Sequence, residues 1–245
     1  MSNQDSKQEK NQPERKEAAP RPANQRRPGE RPGQRIQHKY DTMLTVVIPL
    51  LNEEESLPEL ALQLENELQD ITRGRYEVIF IDDGSTDGSF EFIRQLHERN
   101  KKFRAVRFRR NYGKSAALAV GFGAARGRYV ATMDADLQDD PAEFRNMIDK
   151  MKEGFDLVSG WKKVRHDPIS KTLPSKFFNW VTSKVSGIRL HDFNCGIKLY
   201  KREVTDRLQV YGEMHRYLPA LAAWEGFRVA EIPVKHHARR YGKSK

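Results

Sequence analysis

Short apolar segments alternate with amphipathic segments from Met43 onward, and this alternation constrains the fold more than any other feature of the sequence. Residues 44–48 form a continuous apolar run that ends at Pro49, which is typical of a strand buried on both faces. The next segment repeats leucine along one helical face, at Leu57, Leu60, Leu64 and Leu68. Because strands and helices alternate in this way, we predict βαβ units and an α/β fold with a mostly parallel sheet flanked by helices.

The pattern predicts a regular region up to residue 159 and a less regular region after it. The predicted strands of the first region cover 44–48, 76–81, 103–108, 128–133 and 155–159. Helices are expected between them, and the fourth has Asp140 as its predicted cap, Pro141 at its first position and Gly154 at its end. Further on we expect helices near 177–185, 202–208 and 215–225 and strands at 194–200 and 227–234.

The first forty residues differ in composition from the rest of the chain. They carry ten Lys and Arg against five Asp and Glu, so they supply half of the net charge of +10. They hold too few apolar residues to offset the entropy that ordering would cost. We therefore predict a disordered basic tail at 1–40 and one folded domain at 41–245.

Composition also argues against several classes of protein. No apolar run approaches the roughly 18 residues that span a bilayer, and we expect no secretory signal. The single cysteine, Cys195, permits no internal disulfide, fits a reducing compartment and is expected to be a buried thiol. The basic balance is compatible with nucleic acid, an anionic membrane surface or a phosphorylated substrate. Because no recognised nucleic-acid motif is present, we expect no nucleic-acid partner.

Acidic residues stand where the second and fourth predicted strands end. Asp83 follows the second strand, and Asp134 and Asp136 follow the fourth, with Gln138 two residues further on. A carboxylate at a strand end does little for the core, and these side chains offer only hard oxygen ligands. The pattern indicates a site for Mg²⁺ or Mn²⁺ that keeps positions open for phosphate oxygens. Alternatively, residues 134–140 are only an acidic entry to the next helix.

Glycine-containing segments give a weaker signal for phosphate binding. The segment 113–115 resembles the end of a P-loop, but Phe108 stands where that motif requires glycine. Lys114 could still reach a phosphate from a turn between a strand and a helix. The Gly-Phe-Gly sequence at 121–123 lies within a helical segment, so we do not interpret it as a dinucleotide-binding fingerprint.

Six segments cover almost all of the chain from Met43 onward. They are VVIPLLNEEESL (46–57), IDDGSTDGS (81–89), RNYGKSAAL (110–118), DADLQDDP (134–141), HDFNCGIKLYKRE (191–203) and PVKHHARRYGKSK (233–245). In this order they resemble the family-2 glycosyltransferases, which have the GT-A fold. Within that family the sequence is similar to the branch of dolichyl-phosphate mannosyltransferases and bacterial polyprenyl-phosphate glycosyltransferases. Six ordered matches are far more specific than any one of them.

The resemblance implies an enzyme that transfers a sugar from a nucleotide-sugar with inversion at the sugar carbon. It implies that Asp134 contacts the donor and that Asp136 and Gln138 hold Mg²⁺ or Mn²⁺ on the donor diphosphate. The expected catalytic residues are Asp134, Asp136 and Asp192, the last as a base or an orienting group. The expected donor-binding residues are Pro49, Leu50, Asn52, Glu53, Asp83, Lys114, Asp134 and Ala135.

The expected acceptor is a polyprenyl phosphate. Its phosphate is largely ionised at pH 7, so it needs cationic positioning more than it needs a base. The residues expected to bind it are Arg165, Lys171, Ser175, Lys176 and Arg239, and Lys162 and Lys163 belong to the same basic region. This region could instead be a solvated loop. The sequence lacks the QxxRW motif of the processive polysaccharide synthases, which argues against a polymerase.

The basic C-terminal segment indicates a location at a membrane. In the enzymes that the sequence resembles, this motif lies at the membrane surface, usually before transmembrane helices. The sequence ends before any such helix, so we expect a protein on the cytoplasmic side of the membrane, either peripheral or anchored by a segment absent from this chain. An anionic membrane surface is therefore an expected partner.

Two other functions stay open at this point. The same donor site could serve a glycan or protein hydroxyl as acceptor, or the chain could be a non-catalytic basic binding module. The sequence does not choose between UDP- and GDP-linked donors, and it indicates no oligomeric state.

Overall fold

The computed structural model describes residues 40–163, 182–184 and 186–241. Within these residues the strands are β1 (Leu44–Leu50), β2 (Tyr76–Asp82), β3 (Phe103–Arg107), β4 (Tyr129–Thr132), β5 (Leu157–Trp161), β6 (Lys198–Lys201) and β7 (Val229–Pro233). The helices are α1 (Leu57–Thr72), α2 (Ser89–Arg99), α3 (Lys114–Ala124), α4 (Glu143–Lys152), α5 (Arg202–Thr205) and α6 (Leu218–Trp224), with a 3-10 turn at Met214–Arg216.

The strands form one sheet in the order β3-β2-β1-β4-β6-β5-β7. The first four strands in this order are parallel to one another. β6 is antiparallel to both β4 and β5, and β5 is parallel to β7. β1 lies between β2 and β4, so the chain order reverses there, and the carboxyl ends of these three strands form the crevice where parallel sheets bind ligands.

β1 is buried on both faces, as its unbroken apolar sequence predicts. Ile48 faces a core that α1 and α4 also enter, through Leu60 and Met147. Val47 faces the opposite core, to which α3 contributes. A Cβ atom at Gly121 of α3 would lie 2.2 Å from Cγ1 of Val47. The glycine therefore allows α3 to pack directly on the central strand.

The predicted fold class and the alternation of strands with helices are confirmed in the first region, but the predicted helix cap at Asp140 is wrong. α4 begins at Glu143, its N-cap is Ala142, and no side chain caps it. Asp140 Oδ1 instead accepts a hydrogen bond of 2.9 Å from the Ala142 N–H. Aspartate commonly forms such a turn with the backbone two residues further on, and the turn takes the place of a cap.

The second region departs further from its predictions. The strand predicted at 194–200 is confined to Lys198–Lys201, and its antiparallel direction was not predicted. The helix predicted at 202–208 ends at Thr205. The helix predicted at 215–225 splits into the 3-10 turn and α6, which has Pro219 in its first turn, where proline is favoured. The predicted tail, except Tyr40, and most of the predicted helix at 177–185 lie outside the described residues.

Candidate functional site

A cavity of about 400 Å³ opens at the carboxyl ends of β1, β2 and β4. It lies at the position that the sheet order predicts for a ligand. Its lining residues are Pro49, Leu50, Leu51, Glu53, Asp83, Lys114, Asp134, Ala135, Asp136 and Arg239. The structure thus brings together seven of the eight residues predicted to bind the donor.

Asn52 is the predicted donor residue that does not line this cavity. It has a left-handed backbone with φ of 54°, which asparagine tolerates better than most residues. Its N–H donates to Ser85 Oγ at 2.9 Å, and its Oδ1 accepts from the Thr86 N–H at 2.8 Å. Asn52 therefore ties the loop after β1 to the loop after β2, and its contact with a donor stays a prediction.

Asp83 organises the loop that carries Lys114. Its Oδ1 accepts from the Tyr112 N–H at 2.7 Å, and its Oδ2 accepts from the Gly113 N–H at 2.9 Å. Both oxygens thus bind the backbone immediately before α3. This arrangement fixes the start of the helix and so holds Lys114 at the wall of the cavity.

Lys114 forms an ion pair with Asp134, with Nζ and Oδ1 2.5 Å apart. Burial opposes the charge of Lys114, but the carboxylate outweighs it, and the pKa of the lysine is raised. Burial alone would raise the pKa of Asp134, because it disfavours the charged carboxylate. Lys114 and, more weakly, Lys162 and Lys198 reverse that effect, so the pKa of Asp134 is lowered. At neutral pH the cavity therefore contains a fixed ammonium group beside a fixed carboxylate.

Asp136 is held from two sides. Its Oδ2 lies 2.6 Å from Arg239, and its Oδ1 accepts from the Gln138 N–H at 3.2 Å. Burial and the nearby charge of Asp134 raise the pKa of Asp136, whereas Arg239 opposes the rise. Leu137 lies between Asp136 and Gln138, the two predicted metal ligands. It is buried and has φ of 60°, which is uncommon for a bulky side chain.

The donor atoms of these residues suit a hard divalent cation, although the described residues show no assembled set of ligands. The donor set of Asp136, Gln138 and neighbouring Asp134 consists of oxygen atoms, which suits Mg²⁺ or Mn²⁺. The repulsion between Asp134 and Asp136 raises the pKa of Asp136, and a divalent cation would relieve that repulsion. In the part of the chain that the structure describes, no group of three His, Cys, Asp or Glu residues is placed to hold a metal.

A group of buried charges that act on Asp134 was not predicted. Lys162 Nζ lies 3.1 Å from Asp139 Oδ1, and both side chains are largely buried. Lys198 is buried on β6, which lowers its pKa, and its Nζ donates to the Cys195 carbonyl. Cys195 is the predicted buried thiol, and burial raises its pKa to about 12. A Cβ atom at Gly196 would lie 2.6 Å from Asp134 Oδ2, so this glycine lets the second region approach the cavity.

The 3-10 turn forms a second contact that was not predicted. Ser115 Oγ accepts from the His215 N–H at 3.1 Å and lies 3.0 Å from Nδ1 of the same residue. Because Ser115 follows Lys114 in α3, this contact links the turn to the wall of the cavity. The two residues are 100 positions apart, so no local sequence pattern indicates the pair.

Gln138 is not among the residues that line the cavity, and its Nε2 lies 3.5 Å from the His237 carbonyl oxygen, so its metal role stays a prediction. The other predicted residues divide into three groups. Asp192 is buried, and its Oδ1 accepts from the Asn194 N–H at 3.0 Å, but it does not line the cavity. Arg239 lines the cavity beside the predicted donor residues, and its contact with the acceptor phosphate stays a prediction. The predicted acceptor residues outside the described part of the chain are Arg165, Lys171, Ser175 and Lys176.

No helix in the described ranges is both long enough and apolar enough to span a membrane.

Comparison with protein families gives a match over most of the folded region. The family described as Glycosyl transferase family 2 matches residues 45–209. A dodecaprenyl-phosphate galacturonate synthase from Rhizobium johnstonii is 37% identical over 82% of this chain and 61% of its own length. An undecaprenyl-phosphate 4-deoxy-4-formamido-L-arabinose transferase from Pseudomonas aeruginosa is 35% identical over 83% of this chain and 60% of its own length. The chain thus spans about three fifths of these relatives.

Solved structures show the same fold. A mannosyltransferase from Pyrobaculum calidifontis, in complex with GDP-Man and Mn²⁺, matches with a TM-score of 0.59 and 24% identity over 80% of this chain and 56% of its own. Glucosyl-3-phosphoglycerate synthase from Mycobacterium tuberculosis, in complex with Mn²⁺, UDP-Glc and phosphoglyceric acid, matches with a TM-score of 0.63 and 18% identity over 82% of this chain and 73% of its own. The predicted GT-A fold and the resemblance to the polyprenyl-phosphate branch are confirmed.

Proposed function

Because the chain belongs to glycosyl transferase family 2, we propose that it is a metal-dependent, inverting transferase that moves a sugar from a nucleotide-sugar to a polyprenyl phosphate. We further propose that it acts at the cytoplasmic face of a membrane. One observation carries the proposal: Asp134, Asp136 and Lys114 line a single cavity at the carboxyl ends of the central strands. Carboxylates and an ammonium group in that position suit a diphosphate and its counter-ion.

The donor would be held by charge that the fold keeps in place. Lys114 stays protonated beside Asp134 and supplies a fixed cation for a phosphate oxygen. The ionised Asp134 can accept a hydrogen bond from a hydroxyl of the donor. Asp136 and Gln138 would hold Mg²⁺ or Mn²⁺, which when bound neutralises charge on the departing nucleotide diphosphate. Either a UDP- or a GDP-linked donor is compatible with these contacts.

The acceptor phosphate would act as the nucleophile without a protein base. One of its oxygens forms a bond to the anomeric carbon as the bond from that carbon to the donor diphosphate breaks, and the configuration inverts. A phosphate that is already ionised has no proton to lose, whereas a hydroxyl needs a positioned base. The names of the two curated relatives support the same acceptor class.

The experiment is a transfer assay with Mn²⁺, a UDP- or GDP-linked sugar and a short polyprenyl phosphate in detergent, with the matching polyprenol as control acceptor. We expect a polyprenyl phosphosugar and no product from the alcohol. Asp136→Asn should lower the transfer rate by about 10²-fold or more, the loss expected when a charge-stabilising group is removed. Asp149→Asn makes the same chemical change on the exposed side of α4 and should have no effect.

Two results would contradict the proposal. Full transfer by Asp136→Asn would exclude its metal role. Equal transfer to the polyprenol would point to a hydroxyl acceptor, and a strong loss in Asp192→Asn that recovers at higher pH would then identify Asp192 as the base.

A further inference from the structure

The described end of the chain lies along the loop that contains the predicted metal ligands. We call residues 235–241 the C-terminal strap. The Lys235 N–H donates to Glu143 Oε1 at 3.1 Å, His236 forms a β-bridge with Asp139, and the His237 N–H donates to the Gln138 carbonyl at 2.9 Å. Hydrogen bonds and bridge pairing of the strap's own main chain therefore hold it along 138–143.

Two adjacent arginines of the strap point to different places. Arg239 lies inside the donor cavity, 2.6 Å from Asp136 Oδ2, and its side chain is 26% exposed. Arg240 lies outside it, 2.7 Å from Glu59 of α1, and its side chain is 60% exposed. The two residues have the same charge and nearly the same position in the chain, but only Arg239 contacts a predicted metal ligand.

The contacts of Asp136 conflict with its predicted role. Arg239 occupies the space next to Oδ2, and the Gln138 N–H occupies Oδ1. A divalent cation binds a carboxylate oxygen at about 2.0–2.6 Å. A cation on the Asp136 oxygen would therefore stand within about 4–5 Å of a guanidinium that also binds that oxygen, where like charges repel strongly in a partly buried site. Binding of a metal to Asp136 and the contact of Arg239 with the same carboxylate therefore oppose each other in this arrangement.

We propose that Arg239 competes with the metal for Asp136, and that metal binding transfers the guanidinium from the carboxylate to a substrate phosphate in the same cavity. This inference rests on the proposed function. A guanidinium pairs with phosphate as readily as with carboxylate, because its planar fork matches both. Arg239 already lines the cavity with Lys114, so the exchange needs a side-chain movement while the main-chain contacts of the strap persist.

Removing Arg239 should change metal affinity and nucleotide affinity in opposite directions. Without Arg239 the metal has no competitor, so it should bind more tightly when nucleotide is absent. The phosphate also loses a cation, so the nucleotide should bind more weakly when metal is present. A residue that only stabilises the strap would weaken both.

The experiment is a titration with Mn²⁺, followed by the electron paramagnetic resonance signal of the free ion, on the wild-type chain, Arg239→Gln and Arg240→Gln. We expect Arg239→Gln to bind Mn²⁺ about fivefold or more tightly, within the range of typical coupling between two ligands. Arg240→Gln controls for the loss of one positive charge and should change Mn²⁺ affinity by much less. Circular dichroism checks that the variants fold, and Arg239→Lys, which keeps a cation, should give an intermediate affinity.

The second half of the experiment measures binding of phosphate ligands at saturating Mn²⁺. We expect Arg239→Gln to bind either UDP or a short polyprenyl phosphate about tenfold more weakly, as expected for loss of a charged hydrogen bond. A loss confined to UDP would place Arg239 on the donor diphosphate, and a loss confined to the lipid would place it on the acceptor phosphate.

Two results would overturn the inference. Unchanged or weaker Mn²⁺ binding by Arg239→Gln, with normal binding by the wild type, would show that Arg239 is no competitor and would leave the proposed function intact. Failure of the wild type to bind Mn²⁺, even with UDP or GDP, would overturn the inference together with the metal dependence of the proposed function.

Discussion

The parallel region of the sheet and the second region, which contains β6, both contribute residues to the same cavity, but they place those residues in different ways. In the parallel region, from β3 to β4, site carboxylates lie at or just beyond the ends of strands: Asp83 follows β2 directly, and Asp134 is the second residue after β4. In the second region, which contains the antiparallel β6, residues reach the cavity through loops and long-range contacts, as Arg239 does. The first region thus builds its part of the site locally, whereas the second depends on how distant segments pack against the first.

The largest effect should come from disturbing the junction between the regions. Gly196→Ala would place a Cβ atom 2.6 Å from Asp134 Oδ2 and 3.0 Å from Asp139 Oδ2. The carboxylate of Asp134 must then move, and a displacement of about 1 Å at a reacting site can cost about 10²-fold in rate. Transfer kinetics should therefore show a drop of about that size in kcat/KM. A variant with normal kcat/KM would show that the two regions are not coupled through this contact.

A smaller effect is expected within the parallel region, where a matched pair of glycines lies on α3. Gly121→Ala would place Cβ 2.2 Å from buried Val47, and overpacking of this kind costs about 1–3 kcal/mol. A Cβ atom at Gly123 meets nothing within 4 Å. Gly123→Ala should therefore stabilise the chain by about 0.5–1 kcal/mol through helix propensity. Urea unfolding measures both, and equal effects would contradict direct packing of α3 on β1.

The smallest effect concerns the contact of the 3-10 turn with α3. Burial lowers the pKa of His215, as do Lys114, Arg216 and Lys198, and Glu213 opposes them. The unfolded chain therefore takes up a proton at higher pH than the folded chain, and stability falls as pH drops below about 6.5. His215→Gln should remove this loss of stability. The loss in the wild type should be less than about 1.4 kcal/mol per pH unit, since a single proton is involved. Urea unfolding of the wild type and the variant at pH 7 and pH 5 measures this difference. An equal loss of unfolding free energy in both proteins would exclude His215 as a source of acid sensitivity.

The sequence predicted the parallel region and its part of the site because both are local. A buried strand and the carboxylate that follows it are adjacent in the sequence, so Asp83 and Asp134 could be assigned to the same edge before the structure was known. The lining of the cavity by Lys114 could be anticipated in the same way, from a turn between a strand and a helix.

The second region could not be predicted to the same depth. The contacts Ser115–His215 and Asp136–Arg239 join residues 100 and 103 positions apart. Lys162 was grouped with the acceptor-binding cations, but the structure buries it against Asp139. Charge alone does not indicate which lysine becomes buried, because that depends on how β6 and the loops around it fold back on the sheet.

The most direct test of the central claim is thermal unfolding of the chain with UDP and with GDP, each with and without Mn²⁺. The claim is that the carboxyl edge of the parallel region binds a nucleotide diphosphate together with a metal. A ligand at about 100 times its dissociation constant stabilises a fold by about 2.7 kcal/mol, which is readily measured. We predict a clear shift with one of the two nucleotides that requires Mn²⁺. No shift with either nucleotide, or an equal shift without the metal, would contradict the account.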